Sequence, residues 1–181
     1  MTKRIIVSLA AMGLLLPLAA SAQKLRPVQQ LAVYDADGKK VGVVTGAESA
    51  FGEFVPLAPF KVDDVPFMLL VFREGISGKK NVVWETADCS GTPSLTFFSP
   101  QRGSLPLVGV GLPGSTVYVE DGPARTITVR SFSTPPVPLD GRFPQPSQCY
   151  SQGFTPWSEA SVPARPLIDM NTLFKPPFTV R

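Results

Sequence analysis

Cys89 and Cys149 are the chain's two cysteines, and no histidine accompanies them. Ser-His-Asp and Cys-His nucleophiles, His-ligated zinc or copper and histidine pH switches all need an imidazole, so composition excludes them. Sixty positions separate the cysteines, which leaves no C-x-x-C redox pair. Carboxylate chemistry stays open. The 14 Asp and Glu residues are scattered, and a glycosidase needs two of them at a set separation across a sugar cleft. Ser77 lies two residues before Lys79, the composition of a Ser–Lys dyad but equally that of a turn.

Three further patterns invite chemistry. Gly109-Val110-Gly111-Leu112-Pro113-Gly114 fits G-x-G-x-x-G, yet a dinucleotide site needs a helix to start there and receive the pyrophosphate. Ser115 to Val119 favours a strand instead, and Val129 stands where a ribose-binding carboxylate belongs. These glycines read as a turn, and no cofactor is expected. Asp35-Ala36-Asp37-Gly38 resembles the start of a calcium loop, but its glycine is fourth rather than sixth and Gly46 occupies the twelfth position. Turn chemistry accounts for Asp35 and Asp37 equally well, and Asp63-Asp64 reads as a turn before a metal site. Trp84, Tyr118, Tyr150 and Trp157 could make a carbohydrate-stacking platform, although aromatics in a β-domain more often fill the core.

The N-terminus carries an address. Thr2-Lys3-Arg4 precedes the twelve-residue run Ile5 to Leu16, Pro17 breaks it, and Ala20-Ser21-Ala22 supplies small residues. That is a secretory signal peptide, 1–22, with cleavage between Ala22 and Gln23. A membrane span needs about 20 apolar residues, so no anchor is expected in the mature form. Loss of Lys3 and Arg4 leaves 15 basic against 14 acidic residues, a balance of +1. A nucleic-acid partner would call for a clustered basic face, and none is visible.

Export puts two cysteines in an oxidising compartment, which points to a Cys89–Cys149 bond, with a thiol or an intermolecular bond as alternatives. Closing a loop of this length is worth about 4 kcal/mol in the chain-entropy account.

The elements that must position these groups are strands. Twenty prolines and 15 glycines leave short runs rich in Val, Thr, Phe and Tyr. Leu31 to Tyr34 and Lys40 to Thr45 flank the Asp35–Gly38 turn, and Val65 to Arg73 and Asn81 to Thr86 flank a longer loop, 74–80, as a second hairpin. Ser115 to Glu120 and Arg125 to Ser131 alternate with period two, the mark of half-buried strands. Phe51 to Phe60 and Ser94 to Phe98 are weaker, and Pro56 and Pro59 confine the former to an edge or loop. Half of the prolines lie in the last 48 residues, with Pro135-Pro136, Pro138, Pro144 and Pro146 favouring extended, unpaired backbone. Cys149, Phe143, Phe154, Trp157, Leu167, Ile168, Phe174 and Phe178 argue that 133–181 wraps the core.

Val33-Tyr34-Asp35-Ala36-Asp37-Gly38-Lys39-Lys40-Val41-Gly42, Asp88-Cys89-Ser90-Gly91 and the closing Pro176-Pro177-Phe178-Thr179-Val180 resemble a loose group of exported bacterial proteins and phage-tail-associated β-domains. Some members carry collagen-like repeats, and this chain does not. The resemblance implies exported β structure and nothing catalytic.

The expectation is an all-β protein: one small antiparallel sandwich or barrel-like domain, 23–181, with a Pro-rich extended C-terminal segment. Its expected role is that of an exported, periplasmic or extracellular, non-catalytic domain in surface interaction or cell-envelope structure, with a protein or glycan partner. A small secreted hydrolase using paired carboxylates or the Ser–Lys dyad is the alternative. An outer-membrane barrel needs alternating strands of about ten residues, which the prolines interrupt.

Overall fold

The computed structural model describes residues 30–50, 53–96, 105–134, 147–151 and 155–181. The leader, the Ala22–Gln23 cleavage point and prolines 135–146 lie outside them. Among the described residues the chain is all-β, with one 3-10 turn, Met170–Thr172, and no α-helix.

The first hairpin forms where local chemistry places it. β1 (Ala32–Tyr34) and β2 (Lys40–Val43) pair antiparallel across the Asp35–Gly38 turn. Asp35 is buried, and its Oδ1 accepts the amides of Asp37 at 3.0 Å and Lys39 at 2.8 Å. Gly38 sits at φ 77°, where a side chain is strained.

β3 (Gly46–Ala50), β4 (Glu53–Val62), β5 (Val65–Val71) and β6 (Ile76–Ser77) follow as a four-stranded sheet in that order. Asp63 and Asp64, at φ 47° and 66°, make the two-residue turn between β4 and β5. Two expectations change here. β4 is an internal strand, despite Pro56 and Pro59. The Leu57 carbonyl accepts from Thr45 N at 3.0 Å, so alternate residues from Leu57 face β3 and the others face β5. Pro59 faces β3 beyond the last pair, Gly46–Leu57, and Pro56 faces β5 before the first, Leu57–Leu70. Each missing N–H falls where a ladder has run out.

The proposed 65–73/81–86 hairpin does not form. β5 pairs with β4 and β6, while β7 (Val82–Trp84) pairs with β8 (Ser94–Thr96) in another sheet. The chain changes sheets at Gly78, so close to Gly109 that a Cβ on Gly78 would lie 2.6 Å from the Gly109 Cα.

The larger sheet also contains β9 (Val108–Gly111), β10 (Thr116–Glu120), β11 (Arg125–Val129), β12 (Ser131–Thr134), β13 (Gln148–Tyr150) and β14 (Trp157–Asp169). β11 is half-buried as its alternation predicts, with Ile127 and Val129 inside and Thr126 and Thr128 outside. β10 differs, being buried on both faces. Val117 and Val119 enter the main core, and Tyr118 packs with Val82, Trp84 and Leu95.

β14, inside the expected wrapping segment, is the longest strand and pairs with β8, β10 and β11. Its prolines keep a carbonyl to offer: Pro163 O accepts the Asp121 amide at 2.7 Å. β14 adds a long paired strand to that segment, while the prolines read as extended, unpaired backbone lie at 135–146, outside the described residues. β15 (Thr179–Val180) returns to β1. The main core draws Val33, Phe67, Leu69, Val110 and Val117 from all three sheets, with Met170 from the 3-10 turn.

Candidate functional site

Only Arg130 separates β11 from β12. Its amide donates to Trp84 O at 2.9 Å, and the strand alternation is interrupted there, so that Val129 and Phe132 share one cluster. β11 pairs with β14, β12 pairs with β7 and β13, and β8 joins β7 to β14. The ladders thus curl back on themselves. The concave face of this curl carries Val83, Ile127 and Val129, all essentially inaccessible, with Phe132 packed on them.

Register sets what rises from that floor. Tyr150 lies opposite Phe132 across the β12–β13 ladder, and Trp157 lies opposite Val129 across the β11–β14 ladder. The Tyr150 ring stacks on Phe132 at 5.4 Å and 15°, and Trp157 meets the same ring at 6.3 Å and 63°. Tyr150 and Trp157 each keep 37% exposure. Two partly exposed rings thus lie over a small, fully buried apolar cluster.

Polar groups border it. Trp157 Nε1 donates to Glu159 Oε2 at 2.5 Å, which fixes the edge of the indole. Glu159 lies opposite Ile127, on the same face. Two residues before Ile127, Arg125 Nη2 meets Glu85 Oε2 at 2.7 Å, both side chains about half exposed.

The disulfide anchors one side of the face. Cys89 and Cys149 are bonded, with Cα atoms 5.9 Å apart, as the cysteine count and compartment led one to expect. Cys149 belongs to β13, directly before Tyr150. Cys89 sits at φ 56°, and its amide donates to the buried Ser131 Oγ at 3.0 Å. That hydroxyl donates in turn to Thr86 O at 2.8 Å. The loop 86–90 is thereby tied to β12. Within it, the Ser90 hydroxyl on Asp88, 2.6 Å away, holds that carboxyl below its ordinary range, with Thr86 adding to the effect.

The remaining sequence candidates resolve into structure. Ser77 Oγ donates to Gly78 O at 3.0 Å, whereas Lys79 is ion-paired with Glu48, so the two do not form a dyad. The turn expected of Gly109 to Gly114 is confined to Leu112 to Ser115, which join β9 to β10, whereas Gly109 and Gly111 are paired residues of β9. Asp35 spends its carboxylate on backbone amides and Asp37 pairs with Lys175 Nζ at 2.9 Å. Among the described residues no group of three or more His, Cys, Asp or Glu side chains is placed to hold a metal ion.

Of the four aromatics named as a platform, Trp84 and Tyr118 are buried as an edge-to-face pair at 6.5 Å. The Tyr118 hydroxyl donates to Leu112 O, and burial raises its pKa. Only Tyr150 and Trp157 reach the surface face. Phe132, the ring that joins them, was missed, because simple alternation from Ile127 and Val129 puts position 132 on the opposite side. The interruption at Arg130 shifts the phase. A cleft of about 250 Å³ near the C-terminus has Glu74 as the one carboxylate among its lining residues.

No protein-family model, curated protein or solved structure matches the chain. Among the described residues, no helix is long and apolar enough to cross a membrane.

Proposed function

We propose that this chain is an exported, non-catalytic β-domain that works by surface recognition, using the Phe132–Tyr150–Trp157 face as its contact. The observation that carries this reading is the pair of rings left 37% exposed over a floor that water does not reach. Burying such rings on a partner gains apolar area together with oriented ring contacts. The leader pattern of Met1 to Ala22 and the Cys89–Cys149 bond support passage into an oxidising compartment. The likeness of the Val33–Gly42 and Asp88–Gly91 stretches to exported β-domains agrees with it.

Two measurements test the proposal. Intact mass of protein recovered outside the cytoplasm should begin at Gln23, and a mass retaining Met1 to Ala22 would remove the export claim. Purified mature protein should co-sediment with cell envelopes, and Trp157→Ala and Tyr150→Ala should reduce the sedimented fraction. Equal sedimentation of both variants and the parent would remove the recognition face.

A further inference from the structure

We infer that the partner of the aromatic face is a glycan, a chain of neutral, β-linked, gluco-configured pyranoses. This rests on the recognition face proposed above and names what it binds. Such a sugar carries its hydroxyls around its edge and axial C–H groups on its two faces. An aromatic ring therefore meets an apolar surface, while polar side chains at the ring's border take the hydroxyls.

The concave face has this division of labour. Trp157 and Tyr150 flank Phe132, offering two rings to successive sugar units. Glu159 and the Glu85–Arg125 pair stand on the same side of the sheet, as carboxylate acceptors and a guanidinium donor. A carboxylate can accept two hydroxyls, and a guanidinium presents several donors in a fixed plane. The Glu159 carboxylate also anchors the indole edge, so Trp157 is oriented before any ligand arrives, which lowers the cost of binding. Tyr150 is anchored by the neighbouring disulfide.

Charge argues against other occupants. Glu159 and Glu85 against the one Arg125 leave the border net negative by one charge, which disfavours phosphate, and with it nucleic acid and an anionic lipid surface. A wholly apolar peptide would have to strip water from Glu85, Arg125 and Glu159 without replacing their hydrogen bonds. Sugar hydroxyls replace them.

The test is affinity electrophoresis of the oxidised mature protein in native gels containing a soluble β-1,4-glucan, a β-1,3-glucan or a soluble chitin derivative. The parent should be retarded in at least one gel, and its fluorescence should change on titration with the matching oligosaccharide, because Trp157 is exposed and Trp84 is buried. Trp157→Ala and Tyr150→Ala should each weaken retardation about tenfold or more. Trp157→Tyr should recover part of it, which separates lost stacking from lost folding. Phe54→Ser, at an 83% exposed site on the β3–β4 hairpin, should bind like the parent.

Unretarded parent protein in all three gels would overturn the glycan assignment, as would variants retarded like the parent. If the gels are blank while envelope sedimentation still depends on Trp157 and Tyr150, the recognition face stands and its ligand is not such a glycan. If sedimentation is also unaffected, both fall.

Discussion

Cys149 and Tyr150 are consecutive in β13, so the bond that fastens the Cys89 loop also holds the ring that stacks on Phe132 at 5.4 Å. Stability and the proposed recognition face share one covalent anchor. β13 is a three-residue strand paired with β12 alone. A strand that short contributes little by itself.

Opening the anchor should therefore cost both. Cys89→Ser with Cys149→Ser should lower unfolding free energy by about 4 kcal/mol, the loop-closure value for a 60-residue separation. Urea titration measures the loss. The same variant should expose Tyr150 further, read as faster iodination. An unchanged midpoint would contradict the staple.

The crossing of Gly78 and Gly109 leaves no room for a methyl group. A Cβ on Gly109 would lie 2.7 Å from both Leu95 Cδ2 and Lys80 O, and one on Gly78 would meet Gly109 backbone. Gly109→Ala and Gly78→Ala should each destabilise by about 1–3 kcal/mol through overpacking, measured by thermal or urea unfolding. Neutral outcomes at both would mean the sheets do not approach there.

Tyr118 sets an alkaline limit. Burial raises its pKa above the ordinary value near 10, so the fold prefers the neutral phenol. Its stabilising contribution is complete below the unfolded pKa and is lost as pH rises through the folded one. Ultraviolet titration should show one of the three tyrosines ionising late, with unfolding as it does. Tyr118→Phe should remove that late step. It should also cost about 1 kcal/mol at neutral pH, from the lost bond to Leu112 O.

Asp35 spends its carboxylate on the backbone amides of its own turn. Asp35→Ala leaves the amides of Asp37 and Lys39 without their acceptor, which should cost about 1.5–3 kcal/mol for bonds to a charged group. Added calcium should leave the melting temperature of the parent unchanged. A calcium-dependent rise lost in the variant would restore the metal reading.

What was legible beforehand was local. The Asp35–Gly38 turn and the Asp63-Asp64 turn each depend on a few adjacent residues and form where composition puts them, whereas the turn read across Gly109 to Gly114 narrows to Leu112 to Ser115 because Gly109 and Gly111 pair within β9. The cysteine pairing followed from the count of two and from the oxidising compartment expected of an exported chain. Partner choice between distant strands was not legible. Pro56 and Pro59 look like edge residues until the ladder ends are known, and 65–73 and 81–86 look like a hairpin until the chain changes sheets at Gly78. The proposed binding face was half visible. Tyr150 and Trp157 were candidates, but Trp84 and Tyr118 were equal ones, and only the interrupted alternation at Arg130 and the β12–β13 register separate rim from core.

Hydroxyl-radical footprinting of the oxidised mature protein, alone and with cell envelopes, tests the recognition face most directly. Trp157 and Tyr150 should label readily in the isolated protein and become protected on the envelope, while Phe54 labels equally in both. Unchanged labelling of Trp157 and Tyr150, or protection at Phe54 alone, would contradict the account.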